Sequence, residues 1–445
     1  MGQTGSFLKK HCLEEGDIVE VRSGKAVLKG TIIPSAEENI LALKLENGYN
    51  VGIDLGKISS VKKIGSGKKV GKAKAVEFQK KPGLPAVSIL QIGGTIAARV
   101  DYRTGAVFTT FEPKDLLTLV PELAGMANIE TRLISNMFSE DMRFAHYSVI
   151  ANEIAKEVKK GARGIILPHG TDTMAYTAAA LSFMLEDLPI PVLLVGAQRS
   201  TDRGSTDAIM NLVCAMHFIT KSDFAGVAIC MHENTNDGNC AILPPCKTRK
   251  LHTSRRDAFK PVNDSRIASV DFKTGEIKFL KEKYGKIDKS KKLKLLDKME
   301  AKVALLKVFP NLMHEQIAFF RKEKYKGLVL EGTGLGQAPV GTPNELCGEN
   351  KKIMEEIKEL IKSGCIVAMT SQCIFGRVQM HVYSNAVDLA KAGVIAGEDM
   401  LAETAFVKLA WLLGNFPKEK AKELIAKNLR GEITERTGMQ EPELF

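Results

Sequence analysis

Two hydroxyls and a carboxylate stand together in His169-Gly170-Thr171-Asp172-Thr173-Met174, and a cation-rich run from Lys247 to Phe259 follows far downstream. A threonine hydroxyl is a weak nucleophile and needs a base within reach. Asp172, beside Thr171, could orient or accept a proton. Lys250, brought close by folding, would complete a Thr-Asp-Lys relay. Another hydroxyl stands in Gly93-Gly94-Thr95-Ile96-Ala97. Its paired glycines allow a sharp turn and expose backbone amides able to stabilise an oxyanion. A further polar cluster, Asn136 to Met142, holds Ser139, Glu140 and Asp141. Together these groups point to acyl transfer without histidine or metal. His169, just before the turn, is read as a structural hydrogen-bonding residue.

Each signal has a plainer reading. Thr and Asp are favoured helix N-caps. A double glycine after a strand is often only a turn, and this one lacks the third glycine of a dinucleotide fingerprint. Dense cations are usually a solvated face. Cys230, His232, Cys240 and Cys246 are soft ligands in one stretch, but the usual metal-site spacing is missing, so they read as ordinary strand and loop residues. Gly65-Ser66-Gly67-Lys68-Lys69 resembles a phosphate loop, yet no Gly-Lys-Ser or Gly-Lys-Thr follows at the required spacing.

The elements that must position these groups show a βα rhythm. The strand Gly164 to Leu167 runs into the Thr171 turn, and a helix is expected from Met174 to Met184. Val87 to Ile92 leads into Gly93-Gly94-Thr95, and Pro191 to Val195 leads into Gly196-Ala197-Gln198-Arg199. A helix over Thr206 to Ile219 and a strand over Ala225 to Met231 follow. Near-continuous apolar strands alternating with helices indicate a parallel sheet covered on both faces. The turn's side chains then lie at the carboxyl edge, where open α/β folds place ligands. Asn239 to Lys250 reads as an extended or hairpin excursion. Lys281 to Lys298 reads as a lysine-rich linker, after which the α/β rhythm restarts at Val303.

Upstream, residues 14–62 carry four or five short strand candidates, including the hairpin signal Asn47-Gly48. They suggest a small barrel, followed by a flexible basic linker from Val61 to Lys81. The domain expectation is a small SH3-like β-barrel over 1–75, a larger α/β domain with the catalytic residues over 76–285, and a smaller α/β domain over 300–445.

The chain has 445 residues, 44% hydrophobic and 26% charged, enough for more than one core. No apolar stretch is long enough to span a bilayer, and Met1 to Lys10 lacks a signal-peptide core. Its 8 cysteines form no regular framework, which fits a reducing cytoplasm. The net charge of +11 favours anionic partners, although no nucleic-acid signature accompanies it.

At the residues singled out above, the chain resembles the L-asparaginase/glutaminase family. Gly93-Gly94-Thr95-Ile96-Ala97 is similar to its first threonine motif, and His169 to Met174 to its second. The resemblance covers roughly residues 85–425. It implies two α/β domains of asparaginase type, with an active site in the larger one, roofed by a neighbouring subunit. It also implies that Thr95 and Thr171 are the two catalytic threonines, with Asp172 and Lys250 supporting Thr171. Tyr102 would be the lid tyrosine that activates Thr95. Ser139 and Glu140 would bind the substrate's α-carboxylate. Glu140 departs from the Gln of many asparaginases, and no Glu stands near Asn385-Ala386-Val387, where family enzymes send one into the neighbour's site.

The closer match is to one branch, the D subunits of archaeal glutamyl-tRNA(Gln) amidotransferases. It rests on the β module, on Val100 to Val107, and on Lys250 to Phe259. This resemblance implies a glutamine-hydrolysing subunit with no cofactor of its own, which hands ammonia to a partner E subunit. The partner would bind Glu-tRNA(Gln) and use ATP and Mg. The assembly would be a homodimer within an α2β2 heterotetramer, cytoplasmic and without membrane contact. The competing expectations are a free-standing L-asparaginase and a non-catalytic RNA-binding scaffold.

Overall fold

A computed structural model describes residues 3–24, 26–33, 35, 39–45, 50–66, 80–93, 99–100, 107–108, 120–199, 206–288 and 290–436. Helix α1 (Gln3–Lys10) precedes β1 (Asp17–Ser23), β2 (Ala26–Ile33), β3 (Ile40–Leu45), β4 (Asn50–Asp54) and β5 (Ile58–Ser66). These strands form one antiparallel sheet in the order β4-β3-β2-β1-β5. Side chains alternate between faces of a strand, so Val19 and Val21 are buried while Glu20 between them is not. Lys44 pairs with Asn50 across the Asn47-Gly48 hairpin, whose turn lies outside the described residues. The expected linker starts too early: Val61 pairs with Val21 and Lys63 with Val19, so residues 61–66 finish a strand. Among the described residues β4 and β5 are the two edges of this sheet, and closure into a barrel is not among its pairings.

The next unit begins with β6 (Ala86–Gly93), the ribbon β7 (Arg99–Val100) and β8 (Val107–Phe108), and β9 (Asn128–Met137). It continues through α2 (Phe144–Lys159), β10 (Gly164–Pro168), α3 (Met174–Met184), β11 (Leu185–Glu186), β12 (Pro191–Val195) and α4 (Ala208–Lys221). It ends with β13 (Gly226–His232), β14 (Asn239–Leu243), β15 (Thr248–Lys250), β16 (Phe259–Pro261), β17 (Ala268–Asp271) and β18 (Ile277–Phe279). Eight of these strands make one sheet, in the order β18-β17-β14-β13-β12-β10-β6-β9. The expected parallel sheet is only part of it. The strands from β9 to β13 are parallel. β14 turns back on β13, and β17 and β18 are antiparallel as well. The stretch read as an excursion from Asn239 therefore supplies a strand of the main sheet. The short connections from β13 to β14 and from β17 to β18 force a reversal at each, because a parallel return needs a crossover of a dozen residues or more.

Helix α3 is apolar on every face, and nine of its eleven residues are buried. A helix of that kind must be covered all round. One side meets the large sheet and the other meets a helix of the last unit.

That unit comprises β19 (Lys294–Leu295), β20 (Val303–Lys307), α5 (His314–Lys322), β21 (Gly327–Gly332) and α6 (Gly348–Lys362). It continues through β22 (Ile366–Ser371), α7 (Ser384–Ala392), β23 (Ile395–Ala396), α8 (Ala402–Asn415) and α9 (Lys418–Leu424). Its sheet is parallel, in the order β20-β21-β22-β23. Phe183 of α3 stacks on Trp411 of α8 with ring centroids 5.3 Å apart. One hydrophobic cluster thus runs from Ile165 and Leu167 through α3 to Val329 and Ala368. The lysine-rich stretch before Val303 is no free linker. β19 pairs with β11, Leu293 and Leu296 pack against the shared cluster, and Asp297 accepts from Ser148 and Asn152. The lysines face out while the intervening leucines face in.

Candidate active site

The turn after β10 is fixed from behind. His169 is fully buried, and its backbone N–H donates to Val195 O. Its Nδ1 lies 2.6 Å from Gly170 O and its Nε2 lies 2.8 Å from Thr177 Oγ1. A carbonyl can only accept, so Nδ1 carries the proton and Nε2 accepts from the threonine. Burial pushes the His169 imidazole down to about 4, which keeps it neutral. Both ring nitrogens are used inside the fold, in keeping with the structural role expected for it.

Thr171 is 7% exposed, at the mouth of the sheet. Lys250 Nζ donates to Thr171 Oγ1 at 2.9 Å and to Asp172 Oδ1 at 2.7 Å. Three sequence-predicted residues therefore meet in one constellation. The capping reading does not hold for these side chains. The N-cap Thr173 makes no side-chain cap bond, and its hydroxyl donates to Ser139 O at 2.6 Å. Asp172 is committed to Lys250.

Close approach makes glycine necessary at two neighbouring positions. A Cβ on Gly170 would lie 2.7 Å from Ser139 Cβ, and one on Gly196 would lie 2.7 Å from Thr171 Cγ2. Ser139 is thereby held against the turn, and Glu140 follows it, exposed, in a short 3-10 turn. Gly93 has φ +124 and pairs with Met137, whose carbonyl a Cβ would strike. The end of β6, two residues before Thr95, thus lies beside the Ser139 turn. Thr95 and Tyr102 themselves lie outside the described residues.

Lys250 ends β15, which pairs with β16 so that Lys250 faces Phe259. Strand alternation splits the cations of this hairpin. Lys250 points toward Thr171, while Arg249 reaches Glu403 of α8 at 2.9 Å. Lys247 is fully buried, 2.7 Å from the equally buried Asp399. Burial opposes ionisation of Asp399, yet hydrogen bonds from Lys247 and Thr434 hold its carboxyl below the ordinary value. Thr404 Oγ1 also donates to Cys246 O. The expected solvated face is instead a set of paired cations. Arg255 forks onto Asp257, and Arg256 pairs with Asp237. The catalytic-type lysine is thereby clamped by the smaller α/β unit.

Sequence reading missed several supports. Asp207 accepts from the Gln198 and Arg199 backbone N–H groups, and Asn211 Nδ2 donates to Gly196 O. These bonds shape the loop against Thr171. Nothing in their spacing announces them, because both residues look like ordinary members of an amphipathic helix start. The soft-ligand stretch resolves into a packed core. Cys230 and Cys240 bond to Asn211, as does His232, and Cys246 meets Ser182 Oγ.

A mixed α/β sheet with a Thr-Lys-Asp cluster at its carboxyl edge defines an amidohydrolase-type fold, and the known families agree. "Asparaginase, N-terminal" matches residues 86–284 and "Glutaminase/Asparaginase C-terminal domain" matches 302–425. "GatD N-terminal domain" matches residues 13–64. The thermostable L-asparaginase from Thermococcus kodakarensis superposes with a TM-score of 0.68 at 28% identity, over 79% of this chain and 100% of that one. A probable cytoplasmic L-asparaginase from Campylobacter jejuni gives 0.62 at 26% identity, over 77% of this chain and 100% of that one. Along the full length the similarity is higher. The D subunit of the glutamyl-tRNA(Gln) amidotransferase from Pyrococcus abyssi is 46% identical over 443 residues, 97% of each chain. The D subunit from Methanococcus maripaludis C6 is 44% identical over 431 residues, 96% of this chain and 100% of the other. The chain belongs to the D-subunit family of glutamyl-tRNA(Gln) amidotransferases, an enzyme branch built on asparaginase-type domains. No described helix is long and apolar enough to cross a membrane.

Proposed function

We propose that this chain hydrolyses glutamine and supplies ammonia to a partner E subunit, which converts Glu-tRNA(Gln) to Gln-tRNA(Gln). The observation that carries the reading is Lys250 Nζ bridging the Thr171 hydroxyl and the Asp172 carboxylate. In the proposed chemistry a threonine oxygen of the Thr95/Thr171 pair attacks the side-chain amide of glutamine. Its proton passes through Lys250 and Asp172 to the leaving nitrogen, and the C–N bond breaks as the acyl–oxygen bond forms. Water then cleaves the γ-glutamyl ester and releases glutamate. An ammonium has three donors and no acceptor. Lys250 therefore stabilises a developing alkoxide while charged, and accepts the Thr171 proton only once neutral. Ser139 and Glu140 stand beside the turn, where they would hold the substrate's α-amino acid group.

ATP and Mg are assigned to the partner. The Gly-Ser-Gly-Lys run that resembled a phosphate loop begins on the antiparallel strand β5, and its Gly67 and Lys68 lie outside the described residues. The proposed assembly is a homodimer within an α2β2 heterotetramer, cytoplasmic, meeting tRNA mainly through the partner.

The test is ammonia release from the purified chain, with Gln or Asn, alone and with the partner and Glu-tRNA(Gln). Thr171→Ala and Lys250→Met should each lower glutamine turnover by about 10²- to 10⁴-fold, the range for a lost general acid–base group. Strong asparagine hydrolysis by the chain alone would favour the free-standing asparaginase instead. Full activity of both variants would favour the scaffold.

A further inference from the structure

The large sheet has a second opening, at the edge opposite Thr171. A cavity of about 860 Å³ lies below the amino ends of β6, β10 and β12, between α2 and the lysine-rich stretch that leads to β19. Parallel strands start at one edge and finish at the other, so this cavity and the Thr171 turn are separated by the length of β10. Ligands of open α/β sheets bind at the carboxyl edge, which makes the amino edge a poor place for the substrate.

Its floor is aliphatic: Ala86, Ala155, Val158, Ile190, Ile287 and Leu295. Its charged groups are Lys159, Arg163, Lys291 and Lys292. Among the described residues that line it there is no carboxylate and no aromatic ring. Arg163 Nη2 donates to Ser222 O at 2.5 Å, but the buried Nη1 has no hydrogen-bond partner. Lys291 has a loose partner in Asp187 at 3.6 Å. Lys159 and Lys292 are exposed.

This chemistry selects an occupant. An aliphatic floor takes up aliphatic side chains. Asp223 lies near Arg163 and Asp187 near Lys291, which leaves the exposed Lys159 and Lys292 as the groove's unmatched charges, and ammonium groups beside an aliphatic floor call for carboxylates. Single-stranded nucleic acid gains much of its affinity from stacking on aromatic rings, and this lining has none.

We propose that this groove holds an acidic segment of the partner amidotransferase subunit, with carboxylates flanked by aliphatic side chains. The inference rests on reading this chain as a component of such a complex. It gives the partner a foothold on the amino edge, in addition to whatever contact it makes near the Thr171 turn to receive ammonia.

The test uses the full chain and the co-expressed partner subunit. Lys159→Glu/Lys292→Glu reverses two exposed charges remote from Thr171, so the chain's own glutamine hydrolysis should stay unchanged. Affinity for the partner, read by sedimentation at low salt, should fall at least about tenfold. The deficit should shrink in about 1 M salt, where the screening length drops to ~3 Å. Undiminished partner binding by the double variant would overturn the groove assignment while leaving the amidotransferase reading intact. So would a loss confined to tRNA affinity, since it would make the occupant nucleic acid. Absence of any complex with the unaltered chain would overturn both readings.

Discussion

Replacing Lys247 by Met tests how the smaller α/β unit governs the reactive hairpin. Lys247 and Asp399 are both fully buried, 2.7 Å apart. Removing one partner of such a pair costs about 3–5 kcal/mol, because a buried charge is left behind. In Lys247→Met the Asp399 carboxylate keeps the N–H and hydroxyl of Thr434 as donors and the Arg377 guanidinium 3.8 Å away. The loss should therefore sit at the low end, about 3 kcal/mol. In Asp399→Leu the ammonium keeps one backbone acceptor, the carbonyl of residue 399 at 2.8 Å, and the loss should approach about 5 kcal/mol. The double variant exchanges an ion pair for apolar side chains, which is nearly neutral by itself. It still strands the Thr434 donors, a cost of about 1–3 kcal/mol. Its total should fall below the sum of the two single changes, and that shortfall is the signature of a direct pair.

Trp411 is the single tryptophan and stacks on Phe183 where α3 meets α8, so its fluorescence reports this junction. With a urea slope of about 3 kcal/mol per M, Lys247→Met should lower the midpoint by about 1 M. Lys250 lies three positions along the chain from Lys247, and a displacement of about 1 Å costs about 10²-fold in rate. Glutamine turnover should drop by that order in folded Lys247→Met protein. An unchanged midpoint together with turnover within about twofold of the original would refute both the anchoring and the positioning role.

Gly196→Ala should cut turnover sharply, since its Cβ would lie 2.7 Å from Thr171 Cγ2; normal kinetics would mean that the loop yields freely. Burial pushes the thiols of Cys246 and Cys365 up to about 12. Alkylation of the native chain followed by mass spectrometry should mark the exposed Cys12 and Cys373 and spare these two. Acid should weaken the fold through His169. Its unfolded ring takes a proton near 6.5, whereas the buried ring resists until about 4. Stability therefore falls as pH drops through that window, by up to about 3 kcal/mol. His169→Gln should show a smaller difference in urea midpoint between neutral and acid conditions; an identical difference would remove His169 from the account.

Much of the site was legible in the sequence because its chemistry is local. The helix Met174–Met184 agrees with its sequence expectation at both ends, since an apolar run bounded by a polar turn leaves little choice. Thr171 and Asp172 lie in that turn, and Lys250 was marked by its cation-rich loop. The capping role was misjudged because cap propensity describes an isolated helix, and here a distant lysine and Ser139 claim the same atoms. The lysine-rich stretch before Val303 looked like a linker because composition does not reveal which leucines face inward.

The sequence by itself determined the βα rhythm, the polar turns at strand ends and the types of side chain those turns carry. Those depend on local periodicity and side-chain chemistry. Only the tertiary structure decided that β14 reverses the sheet, that Lys250 reaches Thr171, and that Lys247 is a buried anchor while Lys250 three positions later faces the site. A pairing across nearly eighty residues has no local signature. It exists because the core shared by α3 and α8 brings the hairpin, the turn and Asp399 to one junction, where the burial of each charge depends on the others.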